Sequence, residues 1–124
     1  MTNVLYIAAG GAAGALARYW TAGGIQTLLG GAFPYGTLVV NVSGCLAMGF
    51  LYTLLFERLN LGVEWRAGLL IGFLGAYTTF SSFSIETLNL LEAGEQLRAG
   101  LNALLSVTLC LLACWAGLVL GRQI

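Results

Sequence analysis

Four apolar runs occupy most of this 124-residue chain, and their length constrains its fold more than any other feature. They extend from about Val4 to Ala22, Thr37 to Phe56, Trp65 to Leu91 and Leu97 to Gly121. A helix crosses the hydrocarbon core of a bilayer in about 20 apolar residues, so each run is matched to one span. Charges cluster near the ends of these runs, at Arg18, Glu57, Arg58, Glu64, Arg66, Glu86, Glu92, Glu95, Arg98 and Arg122. Only 8% of residues are charged and 59% are hydrophobic, too few polar groups to clothe a water-soluble globule. The loop from Gly30 to Gly36 holds the only proline, Pro34, and separates the first two runs. The reading is an all-α membrane protein of four transmembrane helices with short loops, a single domain over residues 1–124. The first run has neither a basic start nor a small-residue cleavage site, and is read as a retained span rather than a removable leader.

The same sequence removes several function classes. It has no His and no Asp, hence no Ser-His-Asp triad, no Cys-His pair and no imidazole metal site. A net charge of zero without a single Lys argues against a nucleic-acid surface. Cys45, Cys110 and Cys114 all lie inside apolar runs and read as small packed hydrophobes, with no metal or redox role. The chain is therefore read as no enzyme, its site built from neutral residues inside the membrane.

Orientation is weakly specified. With four spans, Arg58, Arg66 and Arg122 fall on one side and Arg18 and Arg98 on the other, a poor positive-inside bias. Such a chain is able to insert both ways, and two opposed copies would make across two chains the inverted repeat that larger transporters hold within one.

The densest polar signal is in the third run, Gly75-Ala76-Tyr77-Thr78-Thr79-Phe80-Ser81-Ser82-Phe83-Ser84-Ile85-Glu86. Its hydroxyls either bond back to carbonyls one turn earlier or mark an interrupted helix. Gly68, Gly72 and Gly75 make a smooth face for close helix approach, and an interruption near Gly75–Thr79 would free carbonyl oxygens, hard ligands for a hard cation. Asn41 in the second run needs partners in hydrocarbon, either as interhelical glue or facing a conducting path. In the fourth run Asn102, Ser106 and Cys110 recur every four residues as one polar stripe. Phe80 and Phe83 share a helix face, as core packing or as ring edges carrying partial positive charge. Arg18 either snorkels to an interface or sets the potential of a vestibule.

Three of these stretches together resemble the small bacterial fluoride channels of the Fluc/CrcB family. They are Gly10-Gly11 and Gly14 ahead of Arg18-Tyr19-Trp20, the Gly-Thr-Leu-x-x-Asn-x-x-Gly run from Gly36 to Gly44, and the Thr-Thr-Phe-Ser-x-Phe-Ser-x-Glu run from Thr78 to Glu86. The resemblance covers essentially the whole chain. It implies an antiparallel, dual-topology homodimer in the bacterial plasma (inner) membrane that passively exports fluoride and protects the cytoplasm from it. It also implies a structural Na⁺ at the dimer centre, held by the carbonyls of Gly75 and Thr78 from both chains and not transported. Phe80, Phe83 and Asn41 would line the fluoride path, with Ser81, Ser82, Ser84, Asn102 and Ser106 along it. Arg18 is a vestibule candidate, and Glu86 either pairs with a polar residue of the fourth run or modulates ion exit. Ala76, Tyr77 and Ser82 depart from the usual family pattern. The competing reading, a small four-helix proton-coupled exporter, needs a carboxylate deep in a span, and only Glu86 lies within one.

Overall fold

The computed structural model describes residues 1–59 and 61–124, and regular structure among them is entirely helical. Helix α1 spans Thr2–Leu29. Helix α2, Tyr35–Thr53, begins directly after Pro34 and is prolonged by a π-helical turn, Leu54–Arg58. That turn closes with the Leu59 N–H donating to the Leu54 carbonyl at 2.8 Å. Helix α3, Val63–Arg66, runs through a π-helical stretch, Ala67–Leu74, into α4, Gly75–Tyr77. Two extended residues follow before α5, Phe80–Glu92. Helix α6, Gln96–Gln123, closes the chain after a turn at Gly94, whose φ of 79° favours glycine.

Three helical stretches, Tyr35–Arg58, Val63–Glu92 and Gln96–Gln123, are long and apolar enough to cross a membrane. Helix α1 has 28 residues but is not among them. Its glycines, Arg18 and Gln26 dilute its apolar content. It also continues to Leu29, past the Ala22 end expected from sequence. Polar Gln26 is what makes that extension stable. Its Nε2 donates to the carbonyls of Gly30, at 2.5 Å, and Phe33, at 2.9 Å, while its Oε1 accepts the Gly36 N–H at 3.0 Å. One side chain thus satisfies the end of α1 and the start of α2.

Packing rests on absent side chains. A β-carbon at Gly10 would stand 2.1 Å from the Gly68 carbonyl oxygen, and one at Gly14 equally close to that of Phe73. Gly72 meets the Ile7 carbonyl in the same way, at 2.7 Å, so α1 lies backbone to backbone on the π-helical stretch. Gly75, expected on this smooth face, is not in it: a β-carbon there would make only ordinary contact. Helices α2 and α6 are joined similarly, Gly49 against the Cys114 carbonyl and Gly117 against that of Leu46. The interior is small and partly polar, with Val40, Leu55 and Leu74 beside Asn41, Thr53, Asn102 and Ser106. Large apolar side chains such as Leu28, Ile71, Leu111 and Trp115 face outward, as a lipid solvent allows.

Candidate functional site

The site is organised by the interruption between α4 and α5. Thr78 (φ −82°, ψ 155°) and Thr79 (φ −151°, ψ 113°) are extended. Neither is glycine or proline; the local signal is Thr79, whose hydroxyl caps α5. Asn41, from α2, adds the partners that hold the interruption. Its Nδ2 donates to the Thr79 carbonyl at 3.0 Å and its Oδ1 accepts the Thr79 N–H at 2.7 Å, a two-point clamp on the backbone of one buried residue. The amide expected either as glue or as a path-facing group has both kinds of partner on Thr79.

The clamp changes the bonding of the carbonyls before it. In a continuous helix the Thr79 N–H would close onto the Gly75 carbonyl and the Ser82 N–H onto that of Thr78. Here the first goes to Asn41 and the second to the Thr79 hydroxyl at 3.1 Å, which caps α5. No backbone hydrogen bond among the described residues bridges the break. The carbonyls of Gly75 and Thr78 are thereby released from their helical partners. They are neutral hard oxygen donors, the type of ligand suited to a hard monovalent cation, and Gly75 is exposed on the single chain. The first turn of α5 meanwhile presents its N-terminal dipole end at the break.

Two cavities flank the clamp. One, of about 320 Å³, gathers Asn41, Thr78, Phe80, Phe83 and Ser106, together with Cys45 and Cys110. The rings of Phe80 and Phe83 stand 5.3 Å apart and tilted by 48°, and Phe80 is 76% exposed on the single chain. The other, of about 560 Å³, gathers Arg18, Thr37, Ser82 and Glu86. Thr79 lines both. In the second, the Thr37 hydroxyl donates to Glu86 Oε1 at 2.7 Å, and Glu86 Oε2 is buried with no hydrogen-bond partner among the described residues.

The remaining candidates line neither cavity. Ser81 stands beside Thr79, 3.2 Å between hydroxyl oxygens, and Ser84 bonds back to the Phe80 carbonyl at 2.8 Å, one turn earlier. Asn102, almost wholly buried, donates to the Thr87 hydroxyl at 2.9 Å, and Thr87 in turn donates to the Phe83 carbonyl at 2.7 Å. The helical stripe of α6 is therefore split: Ser106 and Cys110 border the Phe cavity, while Asn102 ties α6 to α5. Both sequence alternatives for the hydroxyls hold at different residues, Ser84 and Thr87 bonding back and Thr79 capping a true interruption. Sequence reasoning gave no role to Gln26, Thr37 or Thr87. The signal for Gln26 was a lone amide beside the glycine-rich turn, and for Thr87 a hydroxyl one turn beyond Phe83.

These features define a multi-pass helical membrane protein whose polar groups converge on an interrupted span. The profile of the family described as CrcB-like protein, Camphor Resistance (CrcB), matches residues 5–118, and the chain belongs to that family. A relative from Methylococcus capsulatus (strain Bath), named fluoride-specific ion channel FluC, is 58% identical over 122 residues, 98% of this chain and 54% of that protein. The chain thus spans about half the length of that relative. Proteins of the same name from Coxiella burnetii (strain Dugway 5J108-111) and Geobacter sulfurreducens are 54% and 51% identical. These alignments cover 98% of this chain and 99% of the Coxiella protein, and 100% of both chains for Geobacter. By these names the family is one of ion channels and not of enzymes.

Proposed function

We propose that this chain forms a passive fluoride channel of the bacterial plasma membrane, releasing fluoride from the cytoplasm and lowering its toxicity. The observation that carries the reading is the clamped break at Thr79, which sets Phe80 and Phe83 at one cavity beside a helix N-terminus. Such a site offers an anion partial positive charge from ring edges and peptide N–H groups with no fixed cation beside it. The names of the full-length relatives supply the anion. Hydrogen fluoride crosses bilayers as a neutral weak acid and dissociates inside, so the trapped anion needs only a leak. A negative-inside potential drives it outward with about 2.3 kcal/mol per charge per 100 mV.

The functional unit in this reading is an antiparallel homodimer in which α1 serves as the fourth span. Phe80 and Gly75, both exposed on one chain, would become interior on pairing with a second. A structural Na⁺ at the dimer centre would be held by the Gly75 and Thr78 carbonyls of both chains, the donors the clamp releases. Bound there, it would supply positive charge beside the two interruptions and would not be transported. Arg18 and Glu86 belong to the mouth of the path.

The test is fluoride efflux from liposomes holding the purified chain, read with a fluoride electrode under a valinomycin-set potassium shunt and with chloride as control. Fluoride release without chloride release is expected. Vesicles that keep their fluoride would overturn the reading, and proton-driven flux of an organic cation in its place would favour the exporter.

A further inference from the structure

A peptide unit is planar, so the direction of its carbonyl is set once both flanking α-carbons and one of its polar groups are held. In the unit that joins Thr78 to Thr79, Asn41 holds the Thr79 end, by accepting the Thr79 N–H at 2.7 Å. The Thr78 end is held too, by residues two and three positions further along α2. Ser43 Oγ and the Tyr77 hydroxyl oxygen stand 3.0 Å apart. Ser43 gives its one proton to the Val40 carbonyl at 3.1 Å, so Tyr77 is the donor between them. Gly44 is buried and seats the next residue: a β-carbon there would overlap the Thr78 methyl and stand 3.1 Å from Tyr77 Cδ1.

Packing alone does not require the tie. Tyr77 already stacks on Phe73, with ring centroids 6.0 Å apart and planes 8° from parallel. Its hydroxyl adds nothing to that stack and instead fixes the distance between α2 and the last residue of α4. Thr78 is equally constrained. Its N–H and its hydroxyl both donate to the Leu74 carbonyl, at 3.0 Å and 2.9 Å, while its methyl faces Gly44. With the hydroxyl spent in this way, the group that Thr78 offers a ligand is its carbonyl.

Taking the sodium part of the proposed function as given, we propose that Ser43, Gly44 and Tyr77 are positioning residues that preset the Thr78 carbonyl for the cation. Helix α2 is then the template of the break. Asn41 sets the turn of the peptide, and Ser43 and Gly44 set where its Thr78 end lies. The donor is aligned before any cation arrives, so losing the tie weakens cation binding beyond what it costs the empty protein.

Purified protein in detergent is melted across a sodium chloride series, with N-methylglucamine chloride holding ionic strength constant and the protein concentration fixed. The sodium concentration at half of the rise in melting temperature is read for each variant, and fluoride efflux from liposomes is measured alongside. The wild-type chain and Thr27→Ala, which deletes an exposed back-bonded hydroxyl on α1, are expected to share one midpoint. Tyr77→Phe, which keeps the stack, and Ser43→Ala are each expected to raise it about two- to tenfold, the span of one net hydrogen bond. Combined, they are expected to raise it no further than the larger single effect. Gly44→Ala is expected to raise it with the Tyr77 hydroxyl intact; should that variant fold poorly, the other two, on different helices and adding no bulk, remain decisive. Melting temperatures that fall equally at every sodium concentration, with the midpoint unmoved, overturn the proposal. So does a wild-type chain whose melting ignores sodium, and efflux that persists there leaves the fluoride reading standing. A midpoint that moves as expected in a chain releasing no fluoride upholds the positioning role and counts against the channel alone.

Discussion

Replacing Asn41 by Ala tests whether the interruption is imposed from α2. The substitution removes at once the acceptor of the Thr79 N–H, at 2.7 Å, and the donor to the Thr79 carbonyl, at 3.0 Å. Thr79 is 7% exposed, so water does not readily replace either partner. A buried polar group left without its hydrogen bond costs about 1–3 kcal/mol, and the two together about 2–6 kcal/mol. The chain has one route to recover part of this: Thr79 turns helical and its N–H closes onto the Gly75 carbonyl, erasing the break. Closure re-engages the Gly75 carbonyl and an open break keeps two buried groups unpaired, so both thermal stability in detergent and fluoride efflux are expected to fall. Asn41→Asp sharpens the test. It keeps an acceptor for the Thr79 N–H but sets a second carboxylate oxygen against the Thr79 carbonyl, so it loses one bond, adds repulsion and places negative charge beside an anion path. It is expected to melt between Asn41→Ala and wild type when its acid is protonated, and to conduct no fluoride when ionised. An Asn41→Ala chain that unfolds within about 0.5 kcal/mol of wild type, the scale of an ordinary surface change, and conducts normally would refute the clamp.

Other perturbations follow from the same geometry. Phe80→Ile or Phe83→Ile removes a ring edge from the cavity and is expected to cut fluoride efflux sharply while the melting temperature in detergent stays near that of wild type; undiminished flux removes the ring-edge role. Gly49→Ala would set a methyl 2.1 Å from the Cys114 carbonyl oxygen, and overpacking of this kind costs about 1–3 kcal/mol, read as a lowered melting temperature. Gly24→Ala, where nothing lies within 4 Å, is its control and is expected to be neutral or slightly stabilising. Thr37→Val deletes the hydroxyl that donates to Glu86. It is expected to cost about 1–3 kcal/mol, and a stability unchanged from wild type would show that the carboxyl finds another donor.

Much of the architecture was legible because it depends on one-dimensional pattern. Three apolar runs became long helical stretches, and the hydroxyl-rich segment did hold a break, at Thr78–Thr79 within the expected Gly75–Thr79 window. The limits of α1 were not legible, since nothing local in Gly23 to Leu29 stops or sustains a helix and the deciding bonds run from Gln26 to the next loop. Gly75 was misassigned to the smooth face for a related reason. The π-helical stretch before it changes the angular step between residues, so a spacing counted at 3.6 per turn drifts off the contact. At the site, sequence identified the residues but not their pairing. That Asn41 spends its amide on Thr79, that Thr37 meets Glu86, and that Asn102 ties to Thr87 are facts of helix docking across 38, 49 and 15 positions of chain.

The clamp also has a consequence for how the molecule is made. The Thr79 hydroxyl caps α5 from within its own segment, but the partners of the Thr79 N–H and carbonyl come from Asn41 on another helix. The interruption within Val63–Glu92 is therefore completed only where α2 is docked, so the state of this one span reports on the packing of its neighbour.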